Sequence, residues 1–271
     1  MLSRFERVAN YTVLTLCACV VLVPVGLLVV LAMGPTYGGG IVEFSSWHFS
    51  NFVDAWTSGG LGSGLLNSAI YSVGTVVATA LLAIPAGYAF GTMRMRGGQV
   101  LFVILLLGIM VPVTAVIVPM YYDFLSWHLL STYTGLIAAN TALSVSFGVF
   151  WMRSYFRTVP SSILESATVD GASRWGAMWR ICVPMGRPAV TVMGLLVFMW
   201  TWNGYLLPLV LVSNSSLQPG ALMLGNFQQR YGTEYSLMAA GAVILALPIV
   251  LVYIVFQRKF IAGILSGAVK G

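Results

Sequence analysis

Long apolar runs alternate with short polar segments along the whole chain. Each run lacks Asp, Glu, Lys, Arg and His and is close to the roughly 20 residues that a bilayer-spanning helix needs. The chain is 59% hydrophobic and 7% charged, whereas soluble domains carry about 25% charged residues. We therefore predict an all-α polytopic membrane protein with six transmembrane helices. The runs are residues 11–33, 67–91, 100–122, 134–152, 189–212 and 236–256.

The basic residues lie almost entirely on one side of this arrangement. Segments 1–10, 92–99, 153–188 and 257–271 hold 12 of the 13 Lys and Arg residues, and Arg230 is the exception. Because Lys and Arg mark short cytosolic loops, both termini are predicted to be cytosolic. The net charge of +6 thus indicates membrane orientation, and no nucleic-acid partner is expected.

A cleaved signal peptide is the alternative for the first run. Arg4 and Arg7 provide a basic start, and the sequence VLA at 30–32 resembles a cleavage site. The apolar run 11–33 is nevertheless longer than the roughly 7–15 residues of a signal core. We expect this run to remain as the first span.

Polar side chains recur at near-helical intervals inside several runs. Such groups face a bundle interior or a wet pathway, or they form interhelical hydrogen bonds worth about 0.6 kcal/mol each. They include Asn67, Ser68, Ser72, Thr75 and Thr79 in the second run, and Asn140, Thr141, Ser144 and Ser146 in the fourth. An aromatic beside an amide, placed midway through the fifth run, favours a pathway role. The candidate pathway residues are Trp202, Asn203, Tyr205, Asn140 and Ser144.

Segment 153–188 gathers charges that the rest of the chain avoids. Its helical core holds five charged residues, which at the bilayer centre would cost about 12–17 kcal/mol, so we expect it in the cytosol. Ser162 and Glu165 have the spacing of a capping box. Asp170-Gly171 is a turn dipeptide, which predicts two short helices meeting there, the second stopped by Val183-Pro184.

The stretch ESATVDGA followed by WRICVP resembles the EAA loop of ATP-binding-cassette (ABC) importer permeases. The matching positions are Glu165, Ala167, Gly171, Ile181 and Pro184. Ser166 and Val183 replace the usual Ala and Leu, both small changes. Over roughly residues 65–271 the chain resembles the carbohydrate-uptake branch, specifically the maltose-type second permease subunit. That likeness is carried by VPMYYDFLSWHLLSTYTGLI, FGVFWMRSYFRTVP, TWNGYLLPLVL, YGTEYSLMAAGAV and QRKFIAGILSGAVKG.

This resemblance implies a type I importer fold, with 1–66 as the first helix and outer loop and 67–271 as the core permease domain. The EAA loop would lie at about 161–187, and residues 161–175 would dock on a cytosolic ATPase. Glu165 would form an ion pair there, although a helix-capping role is the alternative. The implied coupling residues are Glu165, Ser166, Ala167, Asp170, Gly171 and Ala172. In the outer loop 213–235, the implied binding-protein contacts are Gln228, Gln229, Tyr231 and Gly232.

The implied assembly adds a second homologous permease, two ATP-binding subunits and an extracytosolic solute-binding protein, in a bacterial cytoplasmic membrane. Neither lysine of the chain, Lys259 or Lys270, follows a glycine, so the Gly-x-x-x-x-Gly-Lys phosphate loop does not occur. We therefore expect ATP and Mg²⁺ on the partner subunits, no cofactor or metal in this chain, and no enzymatic activity of its own.

Other classes of function fit the sequence less well. All seven Asp and Glu residues lie outside the runs, whereas proton-driven carriers place acids within the membrane; a sodium-coupled sugar carrier using carbonyl ligands remains the alternative. The two histidines, His48 and His128, fall in outer loops, and no catalytic constellation lies in a span. A disaccharide or short oligosaccharide is the expected substrate, and glycerol phosphate is the alternative that the single outer Arg230 disfavours.

Overall fold

A computed structural model describes residues 4–35, 47–229 and 232–268. The described part is helical except for one short hairpin, so the predicted all-α class is confirmed. The helices are α1 (Arg4–Ala32), α2 (Ser50–Thr57), α3 (Leu61–Thr92), α4 (Gly98–Met110), α5 (Val113–Ser126), α6 (Tyr133–Phe156), α7 (Ser161–Val169), α8 (Arg174–Ala177), α9 (Val183–Met185), α10 (Arg187–Trp202), α11 (Leu206–Leu211), α12 (Gly220–Met223) and α13 (Tyr235–Ala268).

Shorter elements join some of these helices. A π-helical segment, Met178–Cys182, connects α8 to α9, and 3₁₀ turns occupy Ser215–Leu217 and Leu224–Phe227. Strands β1 (Gln228–Gln229) and β2 (Gly232–Thr233) pair antiparallel, with Gln228 opposite Thr233.

The first, second, fourth and sixth apolar runs correspond to α1, α3, α6 and α13. Among the described residues, four helices are long and apolar enough to cross a membrane, or up to six if each of two bent helix pairs counts as one span. One bent pair is α4 with α5, at 97°, and the other is the helix Arg174–Met185 with α10, at 79°. Hydropathy therefore identified the apolar runs but not their bends.

The third run is broken, so the prediction of one continuous helix over 100–122 is wrong. Helix α4 ends at Met110 and α5 begins at Val113. Between them Val111 and Pro112 are extended, with ψ angles of 115° and 134°. A residue before proline avoids the helical region, and the proline offers no N–H to continue the ladder.

The fifth run is also interrupted, because α10 ends at Trp202 and does not continue to residue 212. The prediction that Trp202 and Asn203 lie midway through a span is therefore wrong. Asn203 caps α10, since its backbone N–H and its side-chain amide both donate to the Met199 carbonyl, at 3.1 and 2.8 Å. A continuous helix would set the Pro208 ring against the Gly204 carbonyl, whereas Pro208 is tolerated in the first turn of α11.

The chain divides into two compact units, residues 1–62 with 223–248, and residues 63–222 with 249–271. In the first unit, Asn51 is buried and its side-chain amide donates to the Ala32 and Gly34 carbonyls, at 2.9 and 2.8 Å. These bonds satisfy the backbone just beyond α1. The domain division expected near residues 66 and 67 stays a prediction.

In the second unit, α3 and α6 approach each other closely through glycines. A Cβ on Gly148 would lie 2.8 Å from the Ala83 Cβ, and one on Gly87 would lie 2.9 Å from the Arg153 backbone nitrogen. Small residues at such crossings are typical of membrane helices. Arg153 further joins the helices, because its Nε donates to the Phe90 carbonyl at 3.3 Å and its guanidinium covers the Phe102 ring at 3.8 Å.

Candidate coupling loop and translocation pocket

The turn between α7 and α8 is built entirely from local hydrogen bonds. The Gly171 N–H donates to the Thr168 carbonyl at 3.0 Å, and the Ala172 N–H donates to the Ala167 carbonyl at 2.9 Å. These two crossed bonds form a Schellman motif. Gly171 has φ of +79°, a conformation that a Cβ disfavours. The prediction that two short helices meet at Asp170-Gly171 is confirmed.

The caps of the two helices differ from the predicted ones. Pro160 precedes α7 with an extended backbone, and no side chain caps that helix. Because α7 starts at Ser161, Ser162 already lies inside it, so the predicted capping box of Ser162 and Glu165 is wrong. The second helix has an unpredicted cap, since the Ser173 hydroxyl accepts from the Gly176 N–H at 3.1 Å. A serine just before an apolar helical stretch is a signal that could have found it.

Val183-Pro184 does not stop the second helix, which is also a correction. The helix runs from Arg174 to Met185 and turns at Gly186. The Val183 N–H bonds to the Met178 carbonyl, five residues back, so the helix is widened where Pro184 would otherwise clash with the preceding turn. The Tyr155 hydroxyl donates to the Cys182 carbonyl at 2.8 Å, which ties this segment to α6.

The predicted coupling residues lie on an accessible surface. Glu165, Ser166, Asp170 and Gly171 are exposed, Ala172 is half-buried and Ala167 is buried. In the described part of the chain, no ion pair engages Glu165 or Asp170. Beside them Val169 is 88% exposed and Trp175 is 61% exposed. Accessible carboxylates next to large exposed apolar side chains are typical of a protein-binding surface.

A pocket of about 250 Å³ brings together three of the five candidate pathway residues, Asn140, Ser144 and Tyr205. Trp200 and Thr201 also line it, and the sequence analysis missed both. The alternation of aromatics in Trp-Thr-Trp at 200–202 was the available signal. The rings of Trp200 and Tyr205 are about half exposed, so planar apolar faces stand beside amide and hydroxyl groups. Such a pocket suits a ligand with polar groups and apolar faces.

The other two candidate pathway residues lie away from this pocket. Trp202 is buried and stacks on Phe198, with ring centroids 5.4 Å apart. The Asn203 amide donates back to its own helix. In the second run, the hydroxyls of Ser72, Thr75 and Thr79 are buried without a hydrogen-bond partner among the described residues. Polar side chains in the spans therefore serve several different purposes.

Asn67 fastens the first part of the predicted outer loop. Its amide nitrogen donates to the Ser216 and Gln218 carbonyls, both at 2.9 Å, and its oxygen accepts from the Tyr133 hydroxyl at 2.6 Å. The Tyr71 hydroxyl adds a bond to the Leu217 carbonyl at 2.8 Å. This set, which we call the loop anchor, was not predicted, because its members lie far apart in sequence.

Ser131 holds the same loop at its beginning. Its hydroxyl accepts from the Ser213 N–H at 2.9 Å, and its own N–H donates to the Leu211 carbonyl at 2.8 Å. Of the predicted binding-protein contacts, Gln228, Gln229 and Gly232 lie in the β1–β2 hairpin. Tyr231 lies outside the described residues.

Residues 83–264 match the family described as Binding-protein-dependent transport system inner membrane component. The chain belongs to this family. The match includes the whole EAA loop, 161–187, which is characteristic of these permeases. It begins within α3 and ends within α13.

Individual relatives agree with this assignment. The diacetylchitobiose uptake system permease protein NgcG of Streptomyces coelicolor is 31% identical over 83% of this chain and 75% of its own length. The arabinooligosaccharides transport system permease protein AraQ of Halalkalibacterium halodurans is 30% identical, covering 85% and 82%. A bacterial ABC transporter structure, involved in import of the acidic polysaccharide alginate, shares the fold, with a TM-score of 0.82 at 22% identity over 96% of this chain and 99% of the other.

Replacing Asn67 with Leu tests the loop anchor. The variant leaves two carbonyls and the Tyr133 hydroxyl without their partner, and each such loss costs about 1–3 kcal/mol. We expect hydrogen exchange of the 213–220 backbone to accelerate at least tenfold, because a loss of about 1.4 kcal/mol changes an opening equilibrium tenfold. Asn203→Leu is the matched control, since that exposed amide bonds only within its own helix. Equal exchange in both variants would contradict the anchor.

Proposed function

We propose that this chain is the transmembrane permease subunit of an ABC importer for a disaccharide or short oligosaccharide. It forms half of the translocation pathway and couples to a separate ATPase through residues 161–175. The supporting observation is the accessible turn that carries Glu165, Asp170 and the 88% exposed Val169, in a chain of the binding-protein-dependent permease family. The chain itself breaks no bond.

The ATPase groove that fits this turn is basic at its edge and apolar at its centre. Glu165 would pair with the basic edge, while Val169 fills the apolar part, since buried apolar anchors dominate such interfaces. The coupling set is the predicted one: Glu165, Ser166, Ala167, Asp170, Gly171 and Ala172. Two such ATPase subunits hold ATP and Mg²⁺, and ATP-driven closure moves the turn and switches access of the pathway.

The rest of the assembly follows from the distribution of charge and exposure. Lys and Arg residues concentrate between alternate spans, which supports cytosolic termini in the bacterial cytoplasmic membrane. A solute-binding protein, named in the family description, would meet the opposite face at the β1–β2 hairpin. A second, homologous permease would complete the pathway beside the half-exposed rings of Trp200 and Tyr205.

The chemistry of the pocket supports a neutral sugar. Asn140, Ser144 and Thr201 offer polar groups, while Trp200 and Tyr205 offer ring faces. No Lys or Arg is among the described residues that line it, which disfavours glycerol phosphate. The relatives named for diacetylchitobiose and for arabinooligosaccharides point the same way.

The Glu165→Lys variant tests the coupling role in the reconstituted importer. Reversal of this charge places like charges together at the ATPase edge, so we expect the ATPase to bind about tenfold more weakly, equivalent to about 1.4 kcal/mol. Sugar uptake falls in parallel, while membrane insertion is unchanged. Asp123→Lys, another exposed carboxylate, is the control. Tight ATPase binding and normal uptake by Glu165→Lys would remove the ion pair from the mechanism.

The pathway role is tested by Tyr205→Ala. Loss of a ring that stacks on the sugar costs about 1 kcal/mol, so we expect about fivefold slower uptake per ATP hydrolysed. Tyr205→Phe keeps the ring and retains most of the rate. Leu209→Ala removes an exposed side chain of the same region that does not line the pocket. Equal uptake by the Tyr205→Ala and Leu209→Ala variants would exclude the pocket from the pathway.

A further inference from the structure

A second pocket, of about 390 Å³, lies between the end of α3 and the coupling helices. Arg94 and Arg174 both line it, together with Thr92, Thr168 and Tyr88. No carboxylate is among its described lining residues, and no ion pair engages either arginine in the described part of the chain. This pocket therefore concentrates uncompensated positive charge.

The hydroxyls of this pocket leave hydrogen-bond donation to the arginines. The Thr92 hydroxyl donates to the Tyr88 carbonyl and the Thr168 hydroxyl donates to the Leu164 carbonyl, both at 2.8 Å. Guanidinium groups provide several N–H donors in a planar array that matches phosphate oxygens. The ligand class that fits this compartment is thus a phosphate-bearing anion.

An apolar compartment of about 220 Å³ adjoins the charged one. Tyr88, Met93 and Arg174 line both, and Trp175 and Met178 line only the apolar side. A free phosphate would leave this second compartment unused. An amphiphile would place its charged group beside the arginines and its hydrocarbon against the methionines and the tryptophan.

The location of the paired compartments fits a lipid. Helix α3, a candidate membrane span, ends at Thr92, immediately before Arg94. Trp175 and Trp179 are exposed nearby, at 61% and 41%, and tryptophan is enriched where membrane meets water. Basic pockets at helix ends bind the head groups of acidic lipids.

We propose that these two compartments form a binding site for an anionic phospholipid. The phosphate lies between Arg94 and Arg174, and the glycerol and first methylenes lie against Met93, Trp175 and Met178. A bound lipid would join the end of α3 to α8 and so stiffen the base of the coupling segment. The assignment to the cytosolic leaflet rests on the proposed orientation, whereas the site itself does not.

Native mass spectrometry of the purified importer, titrated with phosphatidylglycerol or phosphatidylcholine, tests this site. We expect tight retention of phosphatidylglycerol and about tenfold weaker retention in the Arg94→Gln/Arg174→Gln variant, since each basic contact to an acidic lipid contributes about 1 kcal/mol. Arg96→Gln is the matched control, because Arg96 is exposed in the same connection but does not line either compartment. Its retention should equal that of the unchanged protein.

Three results would overturn the proposal. Equal retention of phosphatidylcholine would indicate a merely apolar groove. Displacement of phosphatidylglycerol by millimolar inorganic phosphate would indicate a free-anion site. Equal losses in Arg96→Gln and in the double variant would indicate nonspecific charge. Should the double Gln variant not assemble, Arg94→Lys/Arg174→Lys keeps the charge but loses the planar donors, and retention equal to that of Arg96→Lys would count against the site. None of these measurements requires ATPase coupling, so they are independent of the proposed function.

Discussion

Two backbone hydrogen bonds at the end of α7, from Gly171 and Ala172, set the direction in which the chain enters α8. The left-handed conformation of Gly171 is what allows both bonds to form, and Ser173 then starts the next helix at once. This turn holds its shape through local bonds, so Val169 and Asp170 remain at the surface. Its geometry thus precedes the partner that would use it.

The two helix breaks lie beside the same pocket. Val113, the first residue of α5, lines it after the break at Pro112, and Gly204 and Tyr205 line it at the break after α10. In a bilayer, irregular backbone is tolerated only where protein or a water-filled cavity satisfies its polar groups. Breaks in two of the predicted spans are therefore a consequence of building a pocket between helices.

Properties that depend on residues close in sequence were predictable. Apolar runs gave the long helices, and Glu165 with Gly171 identified the EAA loop and its turn. The bends at Pro112 and Gly204 were missed, because proline also occurs within continuous helices here, as Pro85 does in α3. The three bonds of Asn67 join it to residues 66 to 151 positions away. Periodicity placed that amide inside the bundle but could not supply its partners.

Photo-crosslinking from Val169 tests most directly whether a separate ATPase grips the turn between α7 and α8. A photoreactive amino acid at this position, in importer expressed with its ATPase, is predicted to give a covalent product with the ATPase that ATP turnover alters. The same group at Trp127, which is also exposed, should give none. No ATPase product from Val169, or a product with the solute-binding protein instead, would contradict the coupling role.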